Sequence, residues 1–309
     1  MTIVYDSKEM ERPIDKCVMT IGNFDGIHIG HQKIFKKVKE KAQEIGGTSA
    51  IYTFDPHPLS VFQPERSPFL ITTFDEKVEL IDKVGIDLIV CESFTREFAD
   101  IDPDQFVEAI LVNKLGLKWL FVGHDFAFGK GRKGTIDMLL SFAEKYQFHI
   151  ETMDAIREGS KIVSSTRVRD CIIEGRMDET SQLLGRFYGL KGRVTEGKKR
   201  GKDMGFPTAN IVPEKKIIPK IGVYATRILL EGRRLDGAAN VGYNPTFSND
   251  KLSVEAFIFD FNEEIYGKEI VVEFVKRLRD EKKFESHTQL VEQIKKDVDE
   301  SKAILAKLH

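Results

Sequence analysis

Two histidines three residues apart, His28 and His31, close the string Gly22-Asn23-Phe24-Asp25-Gly26-Ile27-His28-Ile29-Gly30-His31. Behind them Ile34, Val38, Ala42 and Ile45 recur at helical spacing, so the imidazoles stand at a helix start. A helix N-terminus gathers unpaired N–H groups and positive potential, and side chains three apart there can reach one phosphate. Asn23 offers the same phosphates a donor, while Gly26 and Gly30 leave room for close approach. Spacing alone serves equally well for a tight turn followed by solvent-facing histidines. Recurrence separates the two readings: Thr53-Phe54-Asp55-Pro56-His57-Pro58 and Val122-Gly123-His124-Asp125-Phe126-Ala127-Phe128-Gly129 also follow strand-like segments. Ligand sites of parallel sheets collect at the carboxyl ends of strands.

Further along, Ser164, Ser165 and Thr166 form a hydroxyl cluster before a helical stretch, with Arg169 one turn inside it. Ordinary N-capping would account for the hydroxyls, but the set also makes a second anion-binding arrangement. The segment from Gly197 through Gly201 to Gly205 carries Lys198, Lys199, Arg200 and Lys202. Its backbone can fold over phosphates while the cations offset their charge; a solvated basic loop is the plainer alternative. Just beyond, Thr208 and Asn210 present hard oxygens two residues apart, suited to Mg²⁺ and ATP.

Such groups need a frame. The chain has 309 residues, enough at roughly 150 per domain for two domains, each with its own core. Over residues 17–154 short apolar runs alternate with amphipathic stretches, as in βα units around a parallel sheet. Strands are expected at 17–21, 49–54, 86–91, 118–122 and 148–152. Helices are expected from Ile34, at 74–84 after the capping-box pair Thr73 and Glu76, from Pro103 to Leu115, and at 137–146. Beyond Tyr188 glycine-punctuated, β-branched segments at 223–230, 252–261 and 269–275 read as antiparallel strands, and 286–308 as a helix. The expectation is an α/β domain over 1–185 and a small antiparallel β-barrel with a C-terminal helix over 186–309.

Composition narrows the classes. Hydrophobic residues at 41% and charged residues at 31% describe a globular protein rather than a disordered one. A formal net charge of −2 supplies no field for a polyanion, so a nucleic-acid partner is not expected. Cys17, Cys91 and Cys171 are far apart and lack metal or redox spacing, which fits a reducing cytoplasm. No apolar run approaches the roughly 20 residues of a membrane span, and no signal peptide is evident near Met1.

The four N-terminal motifs, Gly22 to His31, Phe54 to Pro58, Gly123 to Gly129 with Gly134, and Ser164-Ser165-Thr166 with Arg169, resemble the bacterial bifunctional riboflavin kinase/FAD synthetases. The resemblance spans nearly the whole chain. It continues in Gly205-Phe206-Pro207-Thr208-Ala209-Asn210, Gly222-Val223-Tyr224-Ala225, Asn240-Val241-Gly242 with Pro245-Thr246-Phe247, and Tyr266-Gly267. It implies a first domain of nucleotidylyltransferase type, with a Rossmann-like sheet, in which an FMN phosphate oxygen attacks the α-phosphorus of ATP and pyrophosphate leaves. That nucleophile is already ionised, so orientation and charge stabilisation matter more than proton removal. His28 and His31 are then expected as catalytic groups on the triphosphate, with Gly22, Asn23, Phe24, Asp25, Gly26, Gly30 and His57 as binding residues. Asp125 is expected at ribose or a base edge, and Phe54, Phe126 and Phe128 at adenine or isoalloxazine.

For the second domain the resemblance implies that Thr208 and Asn210 hold Mg²⁺ and nucleotide phosphate, and that Glu255 is the general base for the ribityl 5′-hydroxyl of riboflavin. Gly197, Gly201, Lys202 and Gly205 would fold over phosphates, and Arg279 would close on phosphates or flavin. The small-molecule set is riboflavin, FMN, FAD and ATP. Lys202 stands where the family usually has arginine, Phe257 where it often has histidine, and Phe187 where it often has proline. Lysine lacks the planar bidentate fork of arginine. These departures leave an alternative in which only FMN is adenylylated and the kinase-like domain binds flavin with weak or no turnover. The sequence carries no sign of oligomeric state.

Overall fold

A computed structural model of the chain describes residues 1–66, 69–195, 206–213, 216–243 and 252–308. They divide into two compact units, Met1–Ser165 and Thr166–His309.

The first unit is built on a six-stranded sheet: β1 (Thr2–Tyr5), β2 (Cys17–Ile21), β3 (Thr48–Asp55), β4 (Leu88–Ser93), β5 (Leu117–Gly123) and β6 (His149–Met153). All neighbours pair in parallel, in the order β1-β4-β3-β2-β5-β6. The helices between them are α1 (Ile29–Ile45), α2 (Pro58–Phe62), α3 (Phe74–Val84), α4 (Arg96–Ala99), α5 (Pro103–Gln105), which continues as a π-helix over Phe106–Lys114, and α6 (Ile136–Tyr146). Helices cover both faces, so β2 is buried along its whole length and its pleat sends neighbours to opposite cores. Met19 joins Tyr52, Val90, Leu120 and Leu111 on one side. Val18 joins Ile51, Ile89, Phe35 and Val38 on the other. The chain runs from β2 to β3 on one flank, while β5 lies on the other, so β2 and β5 border the switch point where ligands enter such sheets.

Helix ends follow from local chemistry. Thr73 and Glu76 form the expected capping box, and α1 ends at Gly46 in the left-handed conformation, φ 61°. The first edge strand, β1, was not expected from sequence: it is only four residues long, none of them fully buried, and lies at the edge of the sheet beside β4.

A two-residue ladder, β7 (Arg157–Glu158) with β8 (Lys161–Ile162), follows β6. The second unit holds α7 (Ser165–Glu174), which begins at the dividing residue, α8 (Met177–Leu184), and a closed antiparallel barrel. Its strands are β9 (Tyr188–Thr195), β10 (Thr208–Ile211), β11 (Gly222–Leu230), β12 (Arg233–Tyr243), β13 (Leu252–Ile258) and β14 (Glu269–Arg279), joined in the order β10-β13-β12-β11-β14-β9. Closure removes exposed edges. The units divide earlier in the chain than the 185/186 boundary expected from sequence, because α8 packs on β9 and β14. The C-terminal helix, His287–Leu305, lies on the outer face, where Leu305 is buried among Ala225, Ala238, Phe259 and Val275. Burying such a leucine is worth about 1.5–3 kcal/mol.

Candidate functional site

In the first unit the loop after β2 brings the two imidazoles together. His28 is the N-cap of α1, with extended backbone, and its Nδ1 accepts the His31 backbone N–H at 3.3 Å. With Nδ1 used as an acceptor, a neutral His28 carries its proton on Nε2. The His31 ring stacks on it with centroids 3.6 Å apart and stands edge-on to Phe24 at 5.1 Å. Phe24 in turn packs on Phe35 at 4.9 Å, so it backs the histidine pair from the core. Part of His31 reaches the surface, but its Nδ1 is buried without a hydrogen-bond partner among the described residues. Burial, then the charges of His28 and Lys77, hold its pKa well below the ordinary 6.5. His31 is therefore neutral at pH 7.

Asp25 is 3% exposed, and its carboxylate is occupied. It accepts the Ile71 N–H at 3.0 and 3.1 Å, the Thr72 N–H at 3.1 Å and the Thr72 hydroxyl at 3.3 Å. Its carbonyl accepts the Ser165 hydroxyl at 2.8 Å. Asp25 thus ties the loop after β2 to the segment before α3. The space at two of the loop's glycines is likewise taken by the protein. A Cβ at Gly26, where φ is +82°, would lie 3.0 Å from Ile71, and one at Gly30 would lie 3.0 Å from the His28 ring. Gly22 continues β2, its N–H donating to the Tyr52 carbonyl at 3.0 Å.

A recess opens beside the ends of β2 and β3, lined among others by Asn23, Phe54, Asp55, His57, Thr72 and Lys77. The Asn23 Oδ1 is buried and has no hydrogen-bond partner among the described residues. Phe54 stands edge-on to Tyr52 and Phe94, and His57 caps α2 by accepting the Leu59 N–H at 3.2 Å. Sequence reasoning missed Lys77. It is 8% exposed and donates to Thr53 Oγ1 at 3.2 Å. Burial lowers its pKa, opposed by Asp25, Cys91 and Asp55. Its place on the same helical face as Phe74 and Ile81 was the available signal.

At the end of β5, Phe126 and Phe128 stack with centroids 5.8 Å apart. Phe128 is buried against Phe106, while Asp125 is exposed. Ser164 precedes α7, Ser165 opens it, and Thr166 and Arg169 fall in the second unit. Arg167 donates to Glu179 Oε1 at 2.7 and 2.9 Å, which engages it structurally.

In the second unit Thr208 and Asn210 share one face of β10, opposite Phe257 and Glu255 of β13. Asn210 is 4% exposed, yet its Oδ1 has no hydrogen-bond partner among the described residues. A dry, unpaired amide oxygen beside a hydroxyl and a carboxylate is a donor set that suits Mg²⁺. No cluster of three His, Cys, Asp or Glu side chains that could hold a metal occurs among the described residues. Arg279 is not turned loose toward a ligand. It makes a bidentate pair with Asp297 of the C-terminal helix, at 2.9 and 2.6 Å, and lies over the Phe284 ring. Gly197, Gly201, Lys202 and Gly205 lie outside the described residues.

Comparison with known proteins bears on both units. The FAD synthetase family model matches residues 10–167, and the riboflavin kinase family model matches residues 184–305. The chain is 40% identical to the bifunctional riboflavin kinase/FMN adenylyltransferase of Listeria monocytogenes, over 94% of this chain and 93% of that one. It is 37% identical to the protein of that name from Bacillus subtilis, over 93% and 92% of the two chains. For that of Escherichia coli K12 the identity is 34%, with the same coverage. A crystal structure described as a macrolide-efflux protein from Streptococcus pneumoniae superposes with a TM-score of 0.89 at 28% identity, covering 98% of this chain and 99% of that one. No helix among the described residues is long and apolar enough to cross a membrane. Both halves match, which supports two activities over adenylylation alone: the chain belongs to the bifunctional riboflavin kinase/FMN adenylyltransferases, ATP-dependent transferases that make FMN and FAD.

Proposed function

We propose that the two reactions use the two constellations separately, FMN adenylylation within residues 1–185 and riboflavin phosphorylation within 186–309. The observation that supports this division is that the His28–His31 pair and the Asn210–Glu255 pair belong to different compact units.

In adenylyl transfer His28 presents Nε2–H to the triphosphate, and His31 and Asn23 add contacts to phosphate oxygens. An FMN phosphate oxygen bonds to the α-phosphorus of ATP as the bond to pyrophosphate breaks. No proton has to leave the nucleophile, so these residues orient the phosphates and stabilise charge in the transition state. Phe54, Phe126 and Phe128 supply apolar surface for a ring system, with Asp125 at its edge. His57, Gly22, Phe24, Asp25, Gly26 and Gly30 keep the loops in place. Ser164 and Ser165 add further donors for phosphate.

In the kinase reaction Glu255 accepts the proton of the ribityl 5′-hydroxyl. The oxygen then bonds to the γ-phosphorus of ATP, and ADP leaves. Thr208 and Asn210 would hold Mg²⁺, which when bound offsets phosphate charge. Gly197, Gly201, Lys202 and Gly205 would cover the phosphates. Three buried free thiols suit a cytoplasmic setting.

The test is the double variant His28→Ala plus His31→Ala. FAD formation from FMN should fall at least about a hundredfold, the usual effect of removing a charge-stabilising donor. Riboflavin phosphorylation should stay within about twofold of wild type. Normal FAD synthesis would exclude the imidazoles from the reaction.

A further inference from the structure

Across the barrel, Glu255 has a second amide neighbour besides Asn210. Asn240 on β12 lies directly opposite Glu255, just as Asn210 does on β10, so the three share one sheet face in the order Asn210, Glu255, Asn240. Cβ atoms of directly opposed residues lie about 4.5–5.5 Å apart. The Asn240 amide is held in one orientation, because its Nδ2 donates to Glu281 Oε1 at 2.8 Å. Its Oδ1 must then turn away from Glu281, and that oxygen is buried without a hydrogen-bond partner among the described residues. Gly242 makes the arrangement possible. It lies two residues along on the same face, and a Cβ there would collide with the Glu281 carboxylate.

A buried, oriented acceptor without a donor is unfavourable by itself and becomes favourable when a ligand brings an O–H or N–H. Asn210 lies beside Thr208 on the metal-binding side of Glu255, whereas Asn240 lies on the side away from both. We propose that Asn240 is a specificity-determining residue of the kinase site, its Oδ1 accepting a hydrogen bond from a ribityl hydroxyl of riboflavin next to the one that reacts at Glu255. This rests on the reading of Glu255 as the base. The bond recognises the polyol chain and leaves the isoalloxazine ring untouched. Glu281 is the positioning residue behind it.

The experiment follows FMN formation from riboflavin and ATP, with lumiflavin, which has the ring but no ribityl chain, as a competitor. Asn240→Ala should raise the riboflavin KM roughly tenfold, the effect of one lost hydrogen bond to a buried group. The lumiflavin inhibition constant should change less than twofold. A structural role alone would shift both constants together; that result, or an unchanged riboflavin KM, overturns the proposal. Should Asn240→Ala fail to fold, Glu281→Ala serves, with a loss confined to riboflavin as support and an equal loss or none as refutation. Glu255→Gln separates the two readings, since it changes kcat if Glu255 is the base, whatever Asn240 does to KM.

Discussion

Replacing Asp25 with alanine separates a structural anchor from a ligand contact. The substitution removes the acceptor for two backbone N–H groups, those of Ile71 and Thr72, both inside the protein. The Thr72 hydroxyl can turn elsewhere, and its oxygen already accepts the Gly26 N–H at 3.1 Å. Each orphaned buried donor costs about 1–3 kcal/mol, so two should cost roughly 4 kcal/mol, somewhat less if a water enters the space. In a unit of this size each kcal/mol lowers the midpoint by about 2–4 °C, so a fall of roughly 10 °C is expected. Scanning calorimetry of the full chain reads this as a shift of one transition, with the barrel's transition as the internal reference. Asp25→Asn keeps one acceptor oxygen but turns an NH₂ toward an N–H, and should lose about half as much. A midpoint lowered by less than about 2 °C, together with a raised KM for ATP or FMN, would show that the carboxylate meets ligand and that the anchor account is wrong.

Two other outcomes follow from the same geometry. His31 has a depressed pKa in the folded protein, so below pH 6.5 the unfolded chain takes up a proton that the folded chain refuses. Stability contributed by this site is complete above pH 6.5 and is lost as pH falls toward the folded pKa, by at most about 1.4 kcal/mol per pH unit. Urea unfolding of wild type and His31→Phe at pH 7 and pH 5.5 should show the steeper loss in wild type; parallel losses would contradict it. Arg279→Ala leaves Asp297, 5% exposed, with Gln293 as its remaining side-chain donor among the described residues, and should destabilise the barrel by about 3 kcal/mol. Arg279→Lys should rescue little, because the pair is bidentate; full rescue in thermal unfolding would assign the effect to charge alone.

The features legible in the sequence are those set by local chemistry and repeated signals. The capping box at Thr73 and the apolar period of α1 depend on neighbours within a turn or two. The strand-end strings at Gly22, Phe54 and Gly123 announced one shared edge because three of them follow three strands. The hydrogen bonds of Asp25 were not legible, because its partners, Ile71 and Thr72, lie far along the chain and are placed by α3, not by the loop itself. Lys77 was hidden by its type, since a lysine on an amphipathic helix is read as solvated until packing shows it inside. The row of Asn210, Glu255 and Asn240 depends on strand register, and register across a closed barrel is fixed by side-chain packing and loop lengths that spacing along the chain does not reveal.

The division of labour between the units is tested by Glu255→Gln, assayed by chromatography with ATP and Mg²⁺ and with either riboflavin or FMN as the flavin. Loss of a general base should cut FMN formation from riboflavin by about 10²–10⁴-fold, while FAD formation from supplied FMN continues at the wild-type rate. Equal loss of both reactions, or full retention of riboflavin phosphorylation, would contradict it.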